Sequence, residues 1–489
     1  MKKILFLLLT AGARLSAQHP HHNVAISPGD TCYVAENIPL PPGLKGEVGA
    51  IDFLPDGRLV ATFHRGEVYF YQPKTRHWHL FAEGIHDALG IKAISPREIL
   101  LLQRAELTRV RDTDGDGKAD DFAVVTDDFG LTGNYHEFNF GPVADAKGNL
   151  YIALNTASNG AGIRPEIRGA YNPLGRPGRM YSCVPYRGWV MKLTPDGKLH
   201  PYALGFRSPN TLGFDAAGRL LVCDNQGDWL GTSKLYVVKE GRFYGHPASL
   251  VWKEGFPKVD PLTWPVAMLD SMRTREAVAF PHGYVANSPA QPVVDRTGGK
   301  FGPFRNQTLA GEMDHPFLLR VLLEDVHGES QGAAIPLHVH GLRRGNNRLA
   351  FAPDGSLWVG QTDRGWVGSE GLQRIRWTGK TPLDIAGMTL TGKGFRLTFT
   401  RPLKSAPKEL FTVKRFYYEY HREYGSKKFD ETPVAVTGVT LSPDGRSAEV
   451  ALDELKPGYI YEFHFGDLVG KAGEPLLSRL ACYTLNKVR

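Results

Sequence analysis

The sequence predicts an all-β protein: a β-propeller of about six blades followed by a C-terminal, Ig-like β-sandwich. Three observations carry this. One grammar recurs through the first three quarters of the chain: an apolar run, an Asp- or Asn-containing turn with glycine, and a second apolar run. Near Thr378-Gly379-Lys380-Thr381-Pro382 the pattern changes to alternating apolar and polar residues. Glycine (55) and proline (34) are abundant, as a chain built from many tight turns requires.

Residues 1–17 read as a signal peptide: Lys2 and Lys3, the apolar run Ile4–Leu9, and Ala17 before cleavage. Residues 18–34 form an N-terminal extension. Residues 35–378 carry the hairpins: AIDFLPDGRLVA at Ala50–Ala61, ADAKGNLYIAL at Ala144–Leu154, TPDGKL inside Val190–Ala203, TLGFDAAGRLLV at Thr211–Val222 and LAFAPDGSLWVG at Leu349–Gly360. The turn chemistry makes each a β-hairpin. Their uneven spacing argues against a β-helix. Residues 379–489 supply the sandwich, with strands expected near Gly394–Thr400, Val436–Leu441, Ala448–Leu452 and Tyr459–Phe465.

The formal charge of +7 comes from 58 basic and 51 acidic residues spread along the chain. No polybasic block stands out, so no nucleic-acid partner is expected. No apolar run reaches spanning length, so no membrane span is expected either. The expected location is secreted or periplasmic. Cys32, Cys183, Cys223 and Cys482 allow two disulfides with three connectivities, or remain buried thiols; Cys223 inside an apolar strand favours the thiol. With no Cys-x-x-Cys-His, the chain attaches no haem of its own.

Four constellations point to chemistry. Between two apolar runs of residues 205–247 lie Asp224, Asn225, Gln226 and Asp228, with Arg207 and Asn210 close by in sequence. Polar groups at the end of a buried strand make a site on a rigid scaffold, or merely cap the loop. Second, Asp112, Asp114 and Asp116 alternate through a turn with Gly115 and Gly117, as in the first half of a calcium loop. The Lys118 carbonyl and Asp120 or Asp121 would complete that shell; an Asx-turn hairpin without metal is the alternative. Third, His136-Glu137 pairs an imidazole with a carboxylate, suited to a general base, a metal ligand or a structural histidine. Fourth, Asp314-His315 is a similar pair, and Arg343, Arg344 and Arg348 are suited to an anionic ligand or form a solvated turn.

These residues lie in stretches that resemble the glucose/sorbosone dehydrogenase-like propellers, soluble quinoprotein dehydrogenases among them: HDALGI (86–91), LTRVRDTDGDGKADDF (107–122), GNYHEFNFGP (133–142), YALGFRSPNTLGFD (202–215) and VCDNQGDWLGTSKLYVVKEGRFYGHP (222–247). The likeness is greatest to large secreted bacterial proteins labelled sorbosone or membrane-bound dehydrogenase. It covers roughly residues 35–378. It implies pyrroloquinoline quinone (PQQ) and calcium as cofactors, His136 as the base on a sugar hydroxyl, and Arg207 beside it. Glu137, Asn210, Asp224, Asn225, Gln226, Asp228, Asp314, His315 and Arg344 are then the residues for substrate or cofactor. Ser208 stands where the family has asparagine, Asp314-His315 where it has a lysine, and its paired arginines are matched only loosely by Arg344 and Arg348.

The expected function is oxidation of a sugar, or of a sugar-derived alcohol or aldehyde, with electrons passed to an external acceptor such as a cytochrome. Two other classes stay open: a non-catalytic carbohydrate-binding propeller, and a cofactor-free or metal-dependent sugar lyase or hydrolase using His136 with Glu137 or Asp314.

Overall fold

The computed structural model describes residues 31–364 and 368–489. The expected signal peptide, and most of the expected extension, lie outside the described residues. What is described is almost entirely antiparallel sheet.

Six sheets follow one another along the chain, each with four strands hydrogen-bonded in order. Sheet one starts with Val48–Phe53, sheet two with Gly90–Ser95, sheet three with Asn139–Ala144. Sheet four starts with Pro209–Phe214, sheet five with Pro289–Val294, sheet six with Asn346–Phe351. Each first strand contacts the first strand of the next sheet, and the sixth returns to the first. The result is a ring of sheets around a common axis, a propeller architecture. The N-terminal strand Tyr33–Ile38 supplies the outer strand of sheet six, pairing with Gly371–Trp377 from Tyr33↔Trp377 to Ile38↔Leu372. Beginning and end of the ring are thereby fastened by backbone hydrogen bonds.

The hairpin turns share one physical cause. At Asp56, Asp145, Asp215 and Asp354 the carboxylate accepts the amide two residues ahead, from Arg58, Lys147, Ala217 and Ser356. Gly57 and Gly355 sit at φ +87° and +90°, where a side chain would be strained. Between the sheets, apolar residues interlock; Val60, Phe70 and Phe81 of sheet one pack with Ile91, Ile99 and Val110 of sheet two.

Beyond Trp377 the chain builds two layers. Ile385–Thr391, Gly394–Phe399, Ser447–Leu452 and Val436–Leu441 form one sheet in that order. Lys428–Val434, Phe411–Tyr418, Tyr459–Phe465 and Leu480–Leu485 form the other. This second layer does not end on itself. Leu480–Leu485 pairs with Glu329–His338, the last strand of sheet five, through Ala334↔Cys482 and Gly332↔Thr484. Sheet five and the C-terminal layer are therefore one eight-stranded sheet. Its core mixes the two regions: Ala333 and Ile335 are buried with Phe395, Tyr461, Phe463 and Tyr483. Arg320, fully buried, reinforces the joint by donating to the Asp384 carboxylate (2.9 Å) and the Ile385 carbonyl (2.6 Å).

Cys183, Cys223 and Cys482 are buried thiols rather than disulfide partners, each in an apolar setting that holds its pKa up. No helix among the described residues is long and apolar enough to cross a membrane.

Candidate functional site

In an antiparallel sheet, the start of the first strand and the end of the second lie at the same edge. Six such edges converge at one mouth of the ring. The loops there enclose a pocket of about 440 Å³. His136 precedes the first strand of sheet three; Arg207 precedes that of sheet four. Asn225 and Gln226 follow the second strand of sheet four, and Arg364 that of sheet six. Arg348 projects from the first strand of sheet six.

His136 and Arg207 are joined through one residue. The His136 ring Nδ1 lies 2.8 Å from the Thr156 carbonyl, and the Thr156 hydroxyl donates to the Arg207 carbonyl at 2.6 Å. A carbonyl only accepts, so Nδ1 carries the proton and Nε2 keeps its lone pair. Burial and the nearby Arg207 guanidinium press the imidazole down to about 4. His136 is therefore neutral at ordinary pH, with a fixed tautomer and a basic nitrogen available.

Arg207 is held from several sides. The Asp224 carboxylate, fully buried, accepts the Arg207 and Ser208 amides at 2.9 and 2.8 Å. The guanidinium Nε donates to Asp228 at 3.1 Å, and Asp228 also faces His246 at 3.2 Å. Gly227 passes so close that a Cβ there would stand 1.8 Å from Arg207 Nε, which fixes glycine at this position.

Five arginines line the pocket, Arg104, Arg179, Arg207, Arg348 and Arg364, and no aspartate or glutamate among the described residues does. Asp87 sits just behind the wall and serves three of the lining side chains. It faces His64 Nδ1 (2.8 Å) and accepts from Arg104 (2.8 Å) and Arg364 (2.8 Å). Burial pushes this carboxyl up, but the His64 bond and the two guanidinium groups prevail and hold it at about 2. Arg348 has no such partner. It is 1% exposed and donates only to neutral oxygens of Gly49, Asn210 and Asn347. Burial alone lowers it to about 9. Its second terminal nitrogen lacks a hydrogen-bond partner, as do His64 Nε2, Asn155 Oδ1 and Asn225 Oδ1 in the same lining. Buried polar atoms left unpaired are costly, so four around one pocket mark a place built for a polar ligand.

The residues singled out from sequence divide into two groups. His136, Arg207, Asn210, Asn225, Gln226 and Arg348 line the pocket. Glu137, Asp224, Asp228, Asp314, His315 and Arg344 lie behind or beside it. Glu137, fully buried, accepts from the Thr132 amide and hydroxyl and faces Arg187 at 3.8 Å. Asp314 accepts from Asn287, a lining residue, at 2.5 Å and faces Arg344 at 3.7 Å; His315 bonds Glu312. Sequence reasoning missed His64, Arg104, Arg179, Arg364 and Tyr424. Asp87, inside the HDALGI stretch, is the residue that meets three of them, His64, Arg104 and Arg364.

The acidic loop is the turn between two outer strands of sheet two, Leu107–Arg111 and Asp121–Thr126, away from the pocket. Carboxylate oxygens of Asp112, Asp114 and Asp116 lie within 4.8 Å of one another. Asp120 accepts instead from Thr113, and Asp121 pairs with Arg111.

A scan against protein-family models and a search of curated proteins give no match. Among solved structures, the chain is similar to a Thermus thermophilus protein described as an oxidoreductase (glucose dehydrogenase). Identity is 19%, coverage is 70% of this chain and 99% of that one, and the TM-score is 0.50. Also similar are the PQQ-bound aldose sugar dehydrogenase of Streptomyces coelicolor (15% identity, 70% and 98% covered, TM-score 0.46) and the PQQ domain of pyranose dehydrogenase from Coprinopsis cinerea (13%, 72% and 96%, TM-score 0.46). The first of these likenesses bears on the fold alone: the ring shares the fold of that protein.

Proposed function

We propose that the chain is an exported sugar oxidoreductase of the quinoprotein propeller type, within the glucose/sorbosone dehydrogenase-like family. On this reading the six ring sheets are six blades and the C-terminal layers an Ig-like sandwich. One observation carries the functional part: a neutral histidine with a free Nε2 opens into a pocket walled by arginines, with no carboxylate among its described lining residues.

PQQ is a planar quinone bearing three carboxylates. The donor set suits such a ligand, because Arg348 is buried, charged and without an anion. Arg207, Arg348 and Arg364 would hold it, with Asn225 and Asn155 meeting its remaining polar atoms. When bound, the quinone supplies a two-electron acceptor for alcohol oxidation. His136 Nε2 takes the proton of the sugar hydroxyl, and Arg207 faces the negative charge that develops. Calcium would be held at the Asp112–Asp116 loop, whose carboxylates also accept the amides of Gly115, Gly117, Asp116 and Lys118, and would brace a hairpin on the outer edge of sheet two. Electrons leave to a separate carrier such as a cytochrome, since the chain has no haem motif.

The lyase or hydrolase alternative asks for a second acid or base in the pocket. Glu137 is engaged by Thr132 and faces Arg187, and Asp314 is turned to Asn287, so neither lines it. The test is reconstitution of the purified protein with PQQ and calcium, followed by dye reduction across aldoses and sugar alcohols. Turnover that needs quinone supports the reading. Sugar binding without turnover selects a binding propeller, and sugar cleavage selects the lyase or hydrolase.

A further inference from the structure

The pocket is not built by the ring alone. Strands Phe411–Tyr418 and Lys428–Val434 of the C-terminal domain are joined by a loop that reaches the mouth and places Tyr424 in its lining. The loop is rigid in itself: the His421 ring faces Glu423 at 2.8 Å and the Gly425 carbonyl at 2.7 Å. It is also firmly docked. The Gly425 amide donates to the Gly227 carbonyl and the Ser426 amide to the Gly231 carbonyl, both at 2.9 Å. Asp228 and Tyr424 form an antiparallel bridge, and the Tyr420 hydroxyl donates to the Gly245 carbonyl at 2.5 Å. The segment gripped in this way, Gly227 to Gly231, includes the carboxylate that holds Arg207.

Tyr424 is 46% exposed, yet its ring stands against two guanidinium groups, Arg179 at 4.6 Å and Arg207 at 5.3 Å from its centre. Arg179 comes from the long insertion in sheet three, whose next residue, Met180, donates its amide to Asp228 at 3.3 Å. Three parts of the chain thus meet on one aromatic ring. An exposed tyrosine that neighbours two cations attracts both through its negative face and limits how they turn.

We propose that Tyr424 is a positioning residue for Arg207, so that the C-terminal domain completes the catalytic pocket from outside the ring. Asp228 fixes one side of the Arg207 guanidinium and the tyrosine ring restrains the other. The group is then aimed at the space beside His136 before any ligand arrives, the preorganisation that catalysis by charge requires. The inference rests on the catalytic reading of His136 and Arg207. Its test is therefore made in ligand-free protein, where that reading is not needed.

The test is NMR titration of the His136 imidazole in the full chain, with its signal assigned through His136→Gln. Arg207, Arg104 and Asp228 are the charged groups that face this ring, with Tyr135 beside it. Of these side chains only Arg207 stands against the Tyr424 ring; Asp228 meets Tyr424 through the backbone bridge. Arg207→Met is expected to raise the midpoint by roughly half a pH unit, by removing a neighbouring positive charge. Tyr424→Leu should raise it comparably, and Tyr424→Phe, which keeps the ring, should not. The Tyr424→Leu/Arg207→Met double variant should rise no further than Arg207→Met alone. An additive double variant, or an unmoved midpoint in Tyr424→Leu, overturns the proposal. Thermal melts confirm that each variant is folded, and Tyr424→Ala replaces Tyr424→Leu if the latter is not. In the reconstituted enzyme the leucine variant should lose about tenfold in kcat with a smaller change in KM, and phenylalanine should restore it. Absence of turnover in the wild type would sink the oxidoreductase reading while leaving the imidazole cycle to decide this one.

Discussion

The ring and the C-terminal domain are both antiparallel β, but they are assembled at different ranges. In the ring a strand usually pairs with the next strand, across a turn a few residues long. In the C-terminal domain the decisive pairings are distant: Ala334 with Cys482, Phe395 with Val450, Val413 with Phe463. Local hairpins form the floor and sides of the pocket. Long-range pairing delivers the wall that carries Tyr424. The two regions thus share one sheet at sheet five and one pocket lining at the mouth.

Truncation is the harshest way to break that comparison. A chain ending near Thr378 would uncover Glu329–His338 as a long apolar edge and strand Arg320 without Asp384. We expect it to be insoluble or unfolded, judged by soluble yield and circular dichroism. A soluble, folded ring would show that the regions are independent. Next in size is the proposed base. His136→Ala should lower kcat by about 10²- to 10⁴-fold, with the melting temperature little changed. In the wild type, kcat/KM should rise through an acid limb near pH 4, where His136 loses its proton, and stay level above it. A limb near the ordinary histidine value would contradict the buried, Arg207-facing environment.

Smaller effects sharpen the picture within the ring. The Asp87 carboxyl has a depressed pKa, so its ion pairs stabilise the fold above the unfolded carboxyl's pKa. That stabilisation is lost as pH falls toward about 2. Asp87→Asn should therefore flatten acid unfolding between about pH 4 and 2 and loosen Arg104 and Arg364. Equal acid sensitivity in variant and wild type would argue against this hub. Calcium should raise the melting temperature by a few degrees, and Asp114→Asn should reduce that rise. An identical response in the variant would exclude the Asp112–Asp116 loop as the site.

Much of the ring was legible because Asp-Gly turns announce themselves locally. The expected hairpin Thr211–Val222 falls within a few residues of the paired strands Pro209–Phe214 and Leu220–Asp224, and Leu349–Gly360 within a few of Asn346–Phe351 and Leu357–Gln361. Val436–Leu441 and Tyr459–Phe465 show the same for alternating strands. What alternation does not encode is partner choice, so the fusion of Leu480–Leu485 to sheet five had no local sign. His136 and Arg207 were legible as a base and a cation in suggestive contexts. Their link through Thr156 was not, because it needs the approach of two sheets. Arg364 and Tyr424 are unremarkable in sequence; only ring closure and the long sheet bring them to the mouth.

The claim at the centre is that buried, unpaired Arg348 belongs to a pocket that receives an anionic quinone. Titration of the ligand-free full chain with PQQ, followed by its absorbance and by thermal melting, tests this most directly. The account predicts saturable binding at one quinone per chain and a raised melting temperature, with affinity about ten- to a hundredfold weaker in Arg348→Met. Quinone that fails to bind, or that binds equally well to the Arg348→Met variant, would contradict it.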